Sequence, residues 1–445
     1  MIGLLYQALL WLSLPAVLVR LEWRARREPE YGKRIGERMG RAPTGIQPNC
    51  IWFHAVSAGE TIAVAPLIAE LAREFSNDDR LPFLVTAMTP TGSAQVTGRL
   101  GSAVHHCYAP YDFRFAVRAF FERVRPRMLI LVETELWPNL IDEAHRRGVP
   151  ILLVNARLSA GSARGYGLFR RFTRRVLGRL SFVACQYGDH LERFEALGLP
   201  SGRGDVFGSV KFDARLPEDH PGRVSALRNE LGLGQARVWV AGSTHPGEDE
   251  LVLDAHARVC GSFPDSCLLL VPRHPVRGKD VAGLAVRRGF TVRRLGATAR
   301  AEANDSESTQ NDDSANRGEP AQVIVCDTMG QLQTLYGLSH VAFLGGSLVP
   351  VGGHNPIEAA LCSQPLVVGP HTFNFEEVVA AFAAAQCLSR VETPAQLADT
   401  VIAAFEDAAA RTAAGARALQ AVEQNRGATE RLLELLRTRI DAASA

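Results

Sequence analysis

The chain has 445 residues, of which 47% are hydrophobic and 22% are charged, and its formal net charge is +2. This length is too great for one ordinary core and predicts two domains, while the near balance of charge gives no electrostatic argument for nucleic-acid binding. The eight cysteines form no CxxC pair and show no metal-ligand spacing, which favours reduced, mostly buried thiols over a disulfide framework.

Residues 1–22 have the composition of a membrane anchor. The first 19 residues contain no Asp, Glu, Lys or Arg, and as a helix they would reach about 28 Å, just enough for a hydrocarbon core. Gln7, Ser13 and Pro15 weaken such a span, so an interfacial helix and a buried N-terminal helix stay open as alternatives. The basic residues from Arg20 to Arg41 follow the apolar run, which argues against a cleaved signal peptide and predicts that the remaining chain is cytoplasmic.

Two series of short apolar runs follow along the chain, with helical patterns between the runs. The first series contains "CIWFHAV", "PFLVTAM", "RMLILVET", "PILLVNA" and "SFVACQ". The second contains "RVWVAGST", "SCLLLVPRH", "FTVRRL", "AQVIVCD", "HVAFLGGS" and "QPLVVG". Such runs are typical of buried parallel strands, so the sequence predicts two Rossmann-like α/β domains, over 30–213 and 223–405, and C-terminal helices over 406–445. Because ligands bind outside the carboxyl ends of parallel strands, we expect the two domains to face one interdomain cleft.

Glu60 stands where the first predicted strand passes into a helix, at the end of the stretch "HAVSAGE". The free amides and the dipole of a helix N-terminus favour a carboxylate, and we expect them to keep it ionised. The residue is then either an ordinary acidic residue of the first helical turn or a general base at the edge of the sheet. Gly59 would allow a substrate to approach the backbone. His54 and Ser57 are expected to shape the loop and not to be catalytic.

Glu133 follows another apolar run and begins the stretch "ETELWPNL". Two acidic residues two positions apart, followed by Trp-Pro, are unusual directly after a buried strand. Glu133 is the stronger candidate of the two because it lies at the strand end, whereas Trp137 is expected to be structural and Pro138 to open the next helix. A carboxylate in the same cleft as Glu60 resembles the paired groups that act in displacement at a sugar carbon.

The second series places cations and glycines after its strands. "VPRHPVR" presents Arg273 and His274 between prolines, as a phosphate group would require, although a solvated loop fits equally well. "AGSTHPGEDE" predicts an anion site or only a helix cap. In "FLGGSLVPVGGHNPIEAA" the glycines and the following helix start would offer backbone amides to a phosphate, and Glu358 would bind sugar hydroxyls. The sequence lacks a G-x-x-x-x-G-K-[ST] loop and a G-x-G-x-x-G fingerprint, which counts against a nucleotide triphosphatase and an NAD enzyme.

Six blocks together resemble one enzyme family, the 3-deoxy-D-manno-octulosonic acid (Kdo) transferases of lipopolysaccharide synthesis. The blocks are "FHAVSAGE", "ETELWPNL", "FGSVKFD", "AGSTHPGEDE", "VPRHP" and "GGHNPIEAA". The resemblance runs in the same order from the anchor to about Asn374. It implies a GT-B glycosyltransferase anchored at the inner membrane, which moves Kdo from CMP-Kdo to the lipid A precursor lipid IVA. It also implies inversion at the anomeric centre without a bound metal or other cofactor.

The resemblance also implies roles for individual residues. Glu60 matches the family's general base, which deprotonates the acceptor hydroxyl, and Glu133 and Lys211 match residues assigned to transition-state stabilisation. A cation such as Lys211 fits that role, since it offsets negative charge on a departing or carboxylated group. The CMP-binding segments of the family match Arg273, His274, Met329, Gly330, Gln331, Asn355, Pro356, Ile357 and Glu358.

The sequence departs from the family pattern at three places. Ala58 stands where the family usually has valine. Gln331 replaces a glutamate after Met-Gly, which leaves its side-chain role in CMP binding open. The segment 297–322 is polar, acidic and free of aromatic residues, and we predict that it is a mobile surface insertion.

The resulting hypothesis is a membrane-anchored CMP-Kdo:lipid A transferase whose basic segment meets acceptor phosphates and anionic headgroups. A UDP-sugar epimerase or a nucleotide-diphosphate-sugar transferase of the same fold is the nearest enzymatic alternative, and binding of CMP without binding of UDP would separate the two. A membrane-tethered scaffold with a degenerate site is the non-enzymatic alternative. That alternative predicts the loss of the charged site residues, yet Glu60, Lys211, Arg273 and Glu358 are all present.

Overall fold

The computed structural model describes residues 2–75, 81–296 and 321–444. The chain divides into two compact units, of which the first comprises Met1–Asp213 and Asn425–Ala445 and the second comprises Ala214–Gln424. Within the described residues each unit is built on a parallel seven-stranded sheet with helices between the strands, which confirms the predicted two-domain α/β fold. The predicted insertion 297–322 lies outside the described residues except for its last two positions.

The first unit carries a sheet in the order β3-β2-β1-β4-β5-β6-β7. Its strands are β1 (Ile51–His54), β2 (Phe83–Ala87), β3 (His105–Tyr108), β4 (Met128–Val132), β5 (Ile151–Ala156), β6 (Phe182–Cys185) and β7 (Gly204–Val206). Its helices are Ile2–Arg27, Ile35–Arg38, Ala58–Glu74, Pro90–Leu100, Arg114–Val124, Pro138–Arg146, Ala160–Gly167, Arg170–Leu177, Gly188–Leu197 and Ala428–Ser444. The central strand β1 pairs with β2 on one side and with β4 on the other, so that Phe53 lies opposite both Val85 and Ile130.

The second unit repeats this architecture with the strand order β10-β11-β9-β8-β12-β13-β14. Its strands are β8 (Arg237–Thr244), β9 (Ser266–Pro272), β10 (Val292–Leu295), β11 (Val323–Cys326), β12 (Ala342–Leu344), β13 (Leu366–Val368) and β14 (Leu388–Arg390). Its helices are His220–Glu230, Asp249–Ser262, Gly278–Arg287, Leu332–Leu338, Ile357–Leu361, Glu376–Ala384, Pro394–Glu406 and Ala408–Gln424. The inner strands are buried on both faces, as the apolar runs predict.

The predicted terminal segment 406–445 is divided between the two units. The helix Ala408–Gln424 belongs to the second unit, whereas Ala428–Ser444 belongs to the first. Leu432, Leu436 and Ile440 of the last helix recur every fourth residue and are buried in the core of the first unit. This apolar stripe explains why the last helix packs into the core of the first unit, whereas the helix before it in the sequence belongs to the second unit.

The helix Ile2–Arg27 precedes the first sheet and is called the N-terminal helix below. Its portion Leu5–Arg27 is long and apolar enough to cross a membrane by length and composition. Several of its apolar side chains are exposed, including Leu9, Leu12 and Val19. Several exposed apolar side chains on one helix are typical of a site that contacts a membrane or a partner.

Candidate active site

Glu60 lies in the first turn of the helix Ala58–Glu74, directly after β1. Ser57 is the N-cap, because its Oγ accepts a hydrogen bond from the Glu60 amide at 3.2 Å. The carboxylate turns back towards the cap: Oε1 accepts from the Ser57 hydroxyl and Oε2 from the Val56 amide, both at 2.7 Å. This is a variant of the capping box in which the carboxylate accepts from the residue before the N-cap, and it fixes the carboxylate close to the carboxyl end of β1.

The Glu60 carboxyl is driven towards its neutral form. Burial, together with the negative charges of Glu135 and Glu133, raises its pKa to about 8, although the hydrogen bonds from Ser57 and Val56 act in the opposite direction. The expectation that the helix N-terminus keeps Glu60 ionised is therefore wrong, because desolvation outweighs the helix amides. A carboxylate with this pKa can accept a proton near neutral pH far more readily than an exposed glutamate.

Glu133 and Lys211 form an ion pair beside this group. Lys211 lies in the short 3₁₀ turn Val210–Asp213 and its Nζ is 3.5 Å from a carboxylate oxygen of Glu133. Glu133 follows β4 with a positive φ of 58°, a left-handed conformation that is uncommon for a residue with a side chain. The backbone is thus bent directly after β4, at the position where the sequence predicts a catalytic carboxylate.

Glu135 is a member of this group that the sequence prediction did not select. Its carboxylate accepts a hydrogen bond from Trp137 Nε1 at 2.6 Å, and it is the charge with the largest effect on the pKa of Glu60. Burial and the charge of Glu133 raise the pKa of Glu135 as well. Three carboxyl groups therefore share one partly desolvated region, with Lys211 as the cation paired to one of them.

His54 supports this region without a titrating role. It is fully buried at the end of β1, its Nδ1 lies 3.1 Å from the Thr86 hydroxyl, and burial lowers its pKa to about 3. Its ring packs edge-on against Trp137, with the ring centroids 4.6 Å apart. His54 therefore connects the end of β1 to the segment that follows β4, which agrees with its predicted structural role.

The strand order explains why these residues meet. From β1 the chain proceeds to β2 and β3 on one side of the sheet, and β4 to β7 are added on the other side. The crevice between β1 and β4 is therefore a topological switch point, where open α/β sheets bind their ligands. Glu60 follows β1 and Glu133 follows β4. In the second unit the equivalent switch point lies between β8 and β12.

The switch point of the second unit is surrounded by cations and imidazoles. His245 follows β8 and His354 follows the glycine-rich segment after β12; their rings are stacked, with the two Nε2 atoms 2.8 Å apart. Burial is the main cause that lowers the pKa of both imidazoles, and the charges of Arg273 and His274, which follow β9, lower it further. The pKa of His354 falls to about 4. Arg273 and His274 are exposed. This group offers positive charge and N–H donors to an anion, which is what a phosphate or carboxylate needs.

The glycine-rich segment after β12 is held by a carboxylate inside the protein. Glu248 is fully buried and accepts hydrogen bonds from four backbone amides, those of His245, Gly346, Ser347 and Leu348. The expectation that the first glycine pair offers its amides to a phosphate is therefore wrong for these positions. The sequence could not show this, because Glu248 reaches the segment from a distant part of the chain.

The remaining predicted CMP-binding residues follow β11 and β12. Met329 and Gly330 are exposed after β11, and Gln331 precedes the helix Leu332–Leu338 with its Oε1 3.5 Å from the Cys326 thiol. After β12, Asn355 Oδ1 accepts from the Ile357 amide, and burial raises the pKa of Glu358. Pro356 is buried between them. The strands β11, β9, β8 and β12 are consecutive in the sheet. All the predicted residues of this unit therefore lie at the carboxyl ends of neighbouring strands.

The structure brings the predicted residues together in two groups. Glu60, Glu133 and Lys211 meet in the first unit. The CMP-binding candidates lie at the carboxyl ends of neighbouring strands in the second unit. Within the described ranges, no group of three or more His, Cys, Asp or Glu side chains is placed to hold a metal ion.

Solved structures share this two-domain fold. UDP-GlcNAc 2-epimerase from Neisseria meningitidis, solved with UDP-GlcNAc bound, superposes with a TM-score of 0.57 over 87% of this chain and 100% of its own chain. The two sequences are only 13% identical, so this similarity concerns the fold alone. The fold is therefore that of a two-domain α/β protein of the GT-B type.

Sequence relatives define the enzyme class. A family model described as 3-deoxy-D-manno-octulosonic-acid transferase (kdotransferase) matches residues 33–214. The 3-deoxy-D-manno-octulosonic acid transferase of Haemophilus influenzae is 34% identical over 435 residues, which cover 97% of each chain. That of Bordetella pertussis is 33% identical over 421 residues, 91% of this chain and 90% of its own. The chain is a glycosyltransferase. It belongs to the 3-deoxy-D-manno-octulosonic acid transferase family, and its reaction is the transfer of Kdo in lipopolysaccharide synthesis.

Proposed function

We propose that this protein transfers Kdo from CMP-Kdo to lipid IVA with inversion at the anomeric carbon, and that Glu60 is the general base. The observation that carries this proposal is the Glu60 carboxylate, fixed by Ser57 and Val56 at a topological switch point and buried so that its pKa rises to about 8. Membership of the family supplies the type of reaction, and the geometry supplies a group that can take the acceptor proton.

In the proposed reaction an acceptor hydroxyl attacks the anomeric carbon of Kdo on the face opposite the phosphate. The bond between that carbon and the phosphate oxygen breaks, and CMP leaves with the electron pair. The acceptor proton passes to a carboxylate oxygen of Glu60. Because burial makes Glu60 more basic than an ordinary glutamate, the transfer of the proton becomes more favourable.

The ion pair of Glu133 and Lys211 supports the proposed transition state. Positive charge develops on the sugar ring as the leaving group departs, and a carboxylate such as Glu133 stabilises it. Lys211, 3.5 Å from Glu133, would counter the negative charge of the Kdo carboxylate. Since the two groups are already paired, they need little rearrangement when the substrate binds.

The second unit is proposed to bind the donor. Arg273 and His274 would contact the phosphate of CMP, and His354 would donate a further hydrogen bond from its stacked position against His245. An anion bound there would raise the pKa of these imidazoles from their lowered values, because it replaces repulsion between cations by attraction. The segments 329–331 and 355–358 would surround the nucleoside, as the family resemblance implies.

We propose that the N-terminal helix anchors the protein to the cytoplasmic face of the inner membrane. Tyr6 donates a hydrogen bond to Asp112 at 2.7 Å, and Trp11 packs against Phe113 and Phe115. The beginning of the helix is thus attached to the first unit, while Leu12 on another side is 77% exposed. A helix held against a folded unit near its start and exposed elsewhere fits an orientation in the plane of the interface better than a full span.

The proposed reaction is tested by incubating the full chain with CMP-Kdo and lipid IVA and weighing the lipid product. We expect a mass increase equal to one or more Kdo residues, and a thermal shift with CMP that UDP does not give. A stabilisation by UDP alone, without any modified lipid, would instead support the sugar-nucleotide epimerase alternative.

The orientation of the anchor can be measured in intact cells. Gly3→Cys places a thiol near the start of the N-terminal helix. If the helix lies in the plane of the cytoplasmic interface, this thiol should react with a membrane-impermeant maleimide only after the inner membrane is permeabilised. Reaction in cells whose outer membrane alone has been opened would show that the helix spans the bilayer.

A further inference from the structure

A cavity of about 470 Å³ lies in the first unit beside the N-terminal helix. Its volume falls in the range of small-molecule sites. One wall is Tyr6 of the N-terminal helix, another is formed by Tyr166, Phe169 and Phe172 from the helix pair 160–177, and Leu136 and Trp137 contribute a third. The rings of Tyr6 and Phe172 approach to 5.9 Å between centroids. The cavity is thus open on one side and lined mainly by aromatic and aliphatic side chains.

Two polar side chains of the lining, those of Asp112 and Thr173, are already hydrogen-bonded within the protein. The Asp112 carboxylate accepts three hydrogen bonds, from the Tyr6 hydroxyl and from the amides of Asn139 and Leu140. The Thr173 hydroxyl donates to the Tyr166 carbonyl at 2.8 Å. Most of the lining is aromatic or aliphatic, and a sugar or nucleotide would need more hydrogen-bonding groups, so this lining favours a hydrocarbon ligand.

One end of the cavity adjoins the carboxylate group of the candidate active site. Trp137 lines the cavity and donates to Glu135. Burial raises the pKa of both Tyr166 and Glu60, and the negative charge of Glu135 raises each of them further. A ligand in the cavity would therefore contact Trp137, whose indole N–H is bonded to Glu135, the charged neighbour of Glu60.

The other end adjoins an exposed apolar surface. Phe169 lines the cavity and is still 50% exposed, and the neighbouring Leu168 is 80% exposed. The exposed basic residues close to this turn are Arg164, Arg170, Arg171, Arg174 and Arg175. Apolar side chains within a basic rim are typical of a surface that rests on anionic lipid headgroups.

We propose that this cavity binds one hydrocarbon chain of the lipid acceptor while the sugar part of the acceptor lies at Glu60. The assignment rests on the proposed function for the identity of the acceptor, and the geometry extends it to the tail. The end near Glu135, the apolar lining and the exposed end at Phe169 match the head, the chain and the membrane origin of a lipid.

Binding of a hydrocarbon chain is measured first, without turnover. The full chain is titrated with a single-chain amphiphile that carries bromine on its tail, below its critical micelle concentration, and tryptophan fluorescence is recorded. We expect saturable quenching, and a Trp137→Phe variant should lack most of it. Absence of saturable quenching, or full quenching in the Trp137→Phe protein, would overturn the assignment.

Two adjacent substitutions provide a matched comparison. Phe169→Asp places a charge in the lining and should weaken binding of the brominated amphiphile by about tenfold or more. Leu168→Asp alters a more exposed neighbour that does not line the cavity, and it should leave binding unchanged. Equal losses in both variants would show a general lipid-contacting surface in place of a chain-binding cavity. Phe169→Ala, with a smaller loss expected, serves if the aspartate variant does not fold.

Transfer assays then separate this inference from the proposed function. The wild-type protein should show a higher kcat/KM for the acylated acceptor than for the deacylated one, and Phe169→Asp should remove that preference while sparing the deacylated acceptor. Transfer with no preference for the acyl chains would overturn the cavity assignment and leave the proposed function intact. Saturable quenching without transfer to any acceptor would support the hydrocarbon site and contradict the proposed function.

Discussion

The two units share one architecture and carry opposite chemistry at the same place. In both, the titratable and charged residues follow strands that border a topological switch point or lie next to a bordering strand. The first unit gathers Glu60, Glu133 and Glu135 there, whereas the second gathers Arg273 and two stacked histidines. The sheet therefore sets only the position of a site, and the short segments after the strands determine whether it attracts a proton or an anion.

Burial acts on both regions in the same direction, towards the neutral form. It raises the pKa of Glu60 to about 8 and lowers that of His354 to about 4. The exposure of the charged partners differs, since Arg273 and His274 are exposed while Glu60 is buried. The acidic region is thus fixed before a substrate arrives, and the cationic region retains exposed charges that an incoming anion can neutralise.

The largest effect is expected from Glu60→Gln in the acidic region. The amide preserves the shape of the side chain but cannot accept the acceptor proton, so transfer should fall by about 10²–10⁴-fold. Single-turnover transfer from CMP-Kdo measures this loss, and calorimetry should show unchanged affinity for CMP. Glu70→Gln, on the same helix but paired with Arg73, is the control and should transfer normally. Near-normal transfer by Glu60→Gln would remove the base from the mechanism.

A smaller effect is expected from Arg273→Ala in the cationic region. The loss of one charge-assisted contact to phosphate should weaken CMP binding by about 10–100-fold, as measured by calorimetry. Arg258→Ala removes an exposed arginine of the same unit that pairs with Asp399, and it should bind CMP normally. Equal affinities of Arg273→Ala and the wild-type protein would exclude Arg273 from the phosphate site.

A local effect on stability is expected from Glu248→Gln. An amide cannot satisfy the four backbone N–H groups that the Glu248 carboxylate now satisfies, so the second unit should lose about 3 kcal/mol of stability. Hydrogen–deuterium exchange should become faster in the second unit and remain unchanged in the first. Glu406→Gln, at an exposed helix end, is the control. Unaltered exchange around β12 would show that the segment holds its conformation without Glu248.

The inner strands of both sheets could be predicted from the sequence, whereas three edge strands could not. β3, β7 and β14 lie at sheet edges, and their sequences "HHCY", "GDV" and "LSR" contain few apolar residues. An edge strand has a neighbour on one side only and is partly exposed, so its sequence does not need the continuous apolar run that marks a buried strand. The fold class was predictable because the central strands alone define it.

Within the sites, the sequence predicts positions better than side-chain contacts. The positions of Glu133 and Arg273 were predictable because each follows an apolar strand directly, and that of Glu60 because it opens the helix after such a strand. Glu135, His245 and His354 also lie in the quoted blocks, but their importance depends on which strands are neighbours. The adjacency of β8 and β12 is the information that would have brought the two histidines together. The raised pKa of Glu60 depends on burial by the rest of the unit, which no local pattern shows.

The pH dependence of transfer tests the central claim most directly. A base must be deprotonated to act, so kcat/KM should rise as the pH increases through the Glu60 pKa of about 8. In Glu135→Gln a negative neighbour is removed, the charged form of Glu60 becomes easier to form, and the midpoint should move to lower pH. This result, measured with CMP-Kdo and lipid IVA, would show that the buried carboxyl controls the reaction. A rate independent of pH between about 6 and 9, or the same midpoint in both proteins, would contradict the account.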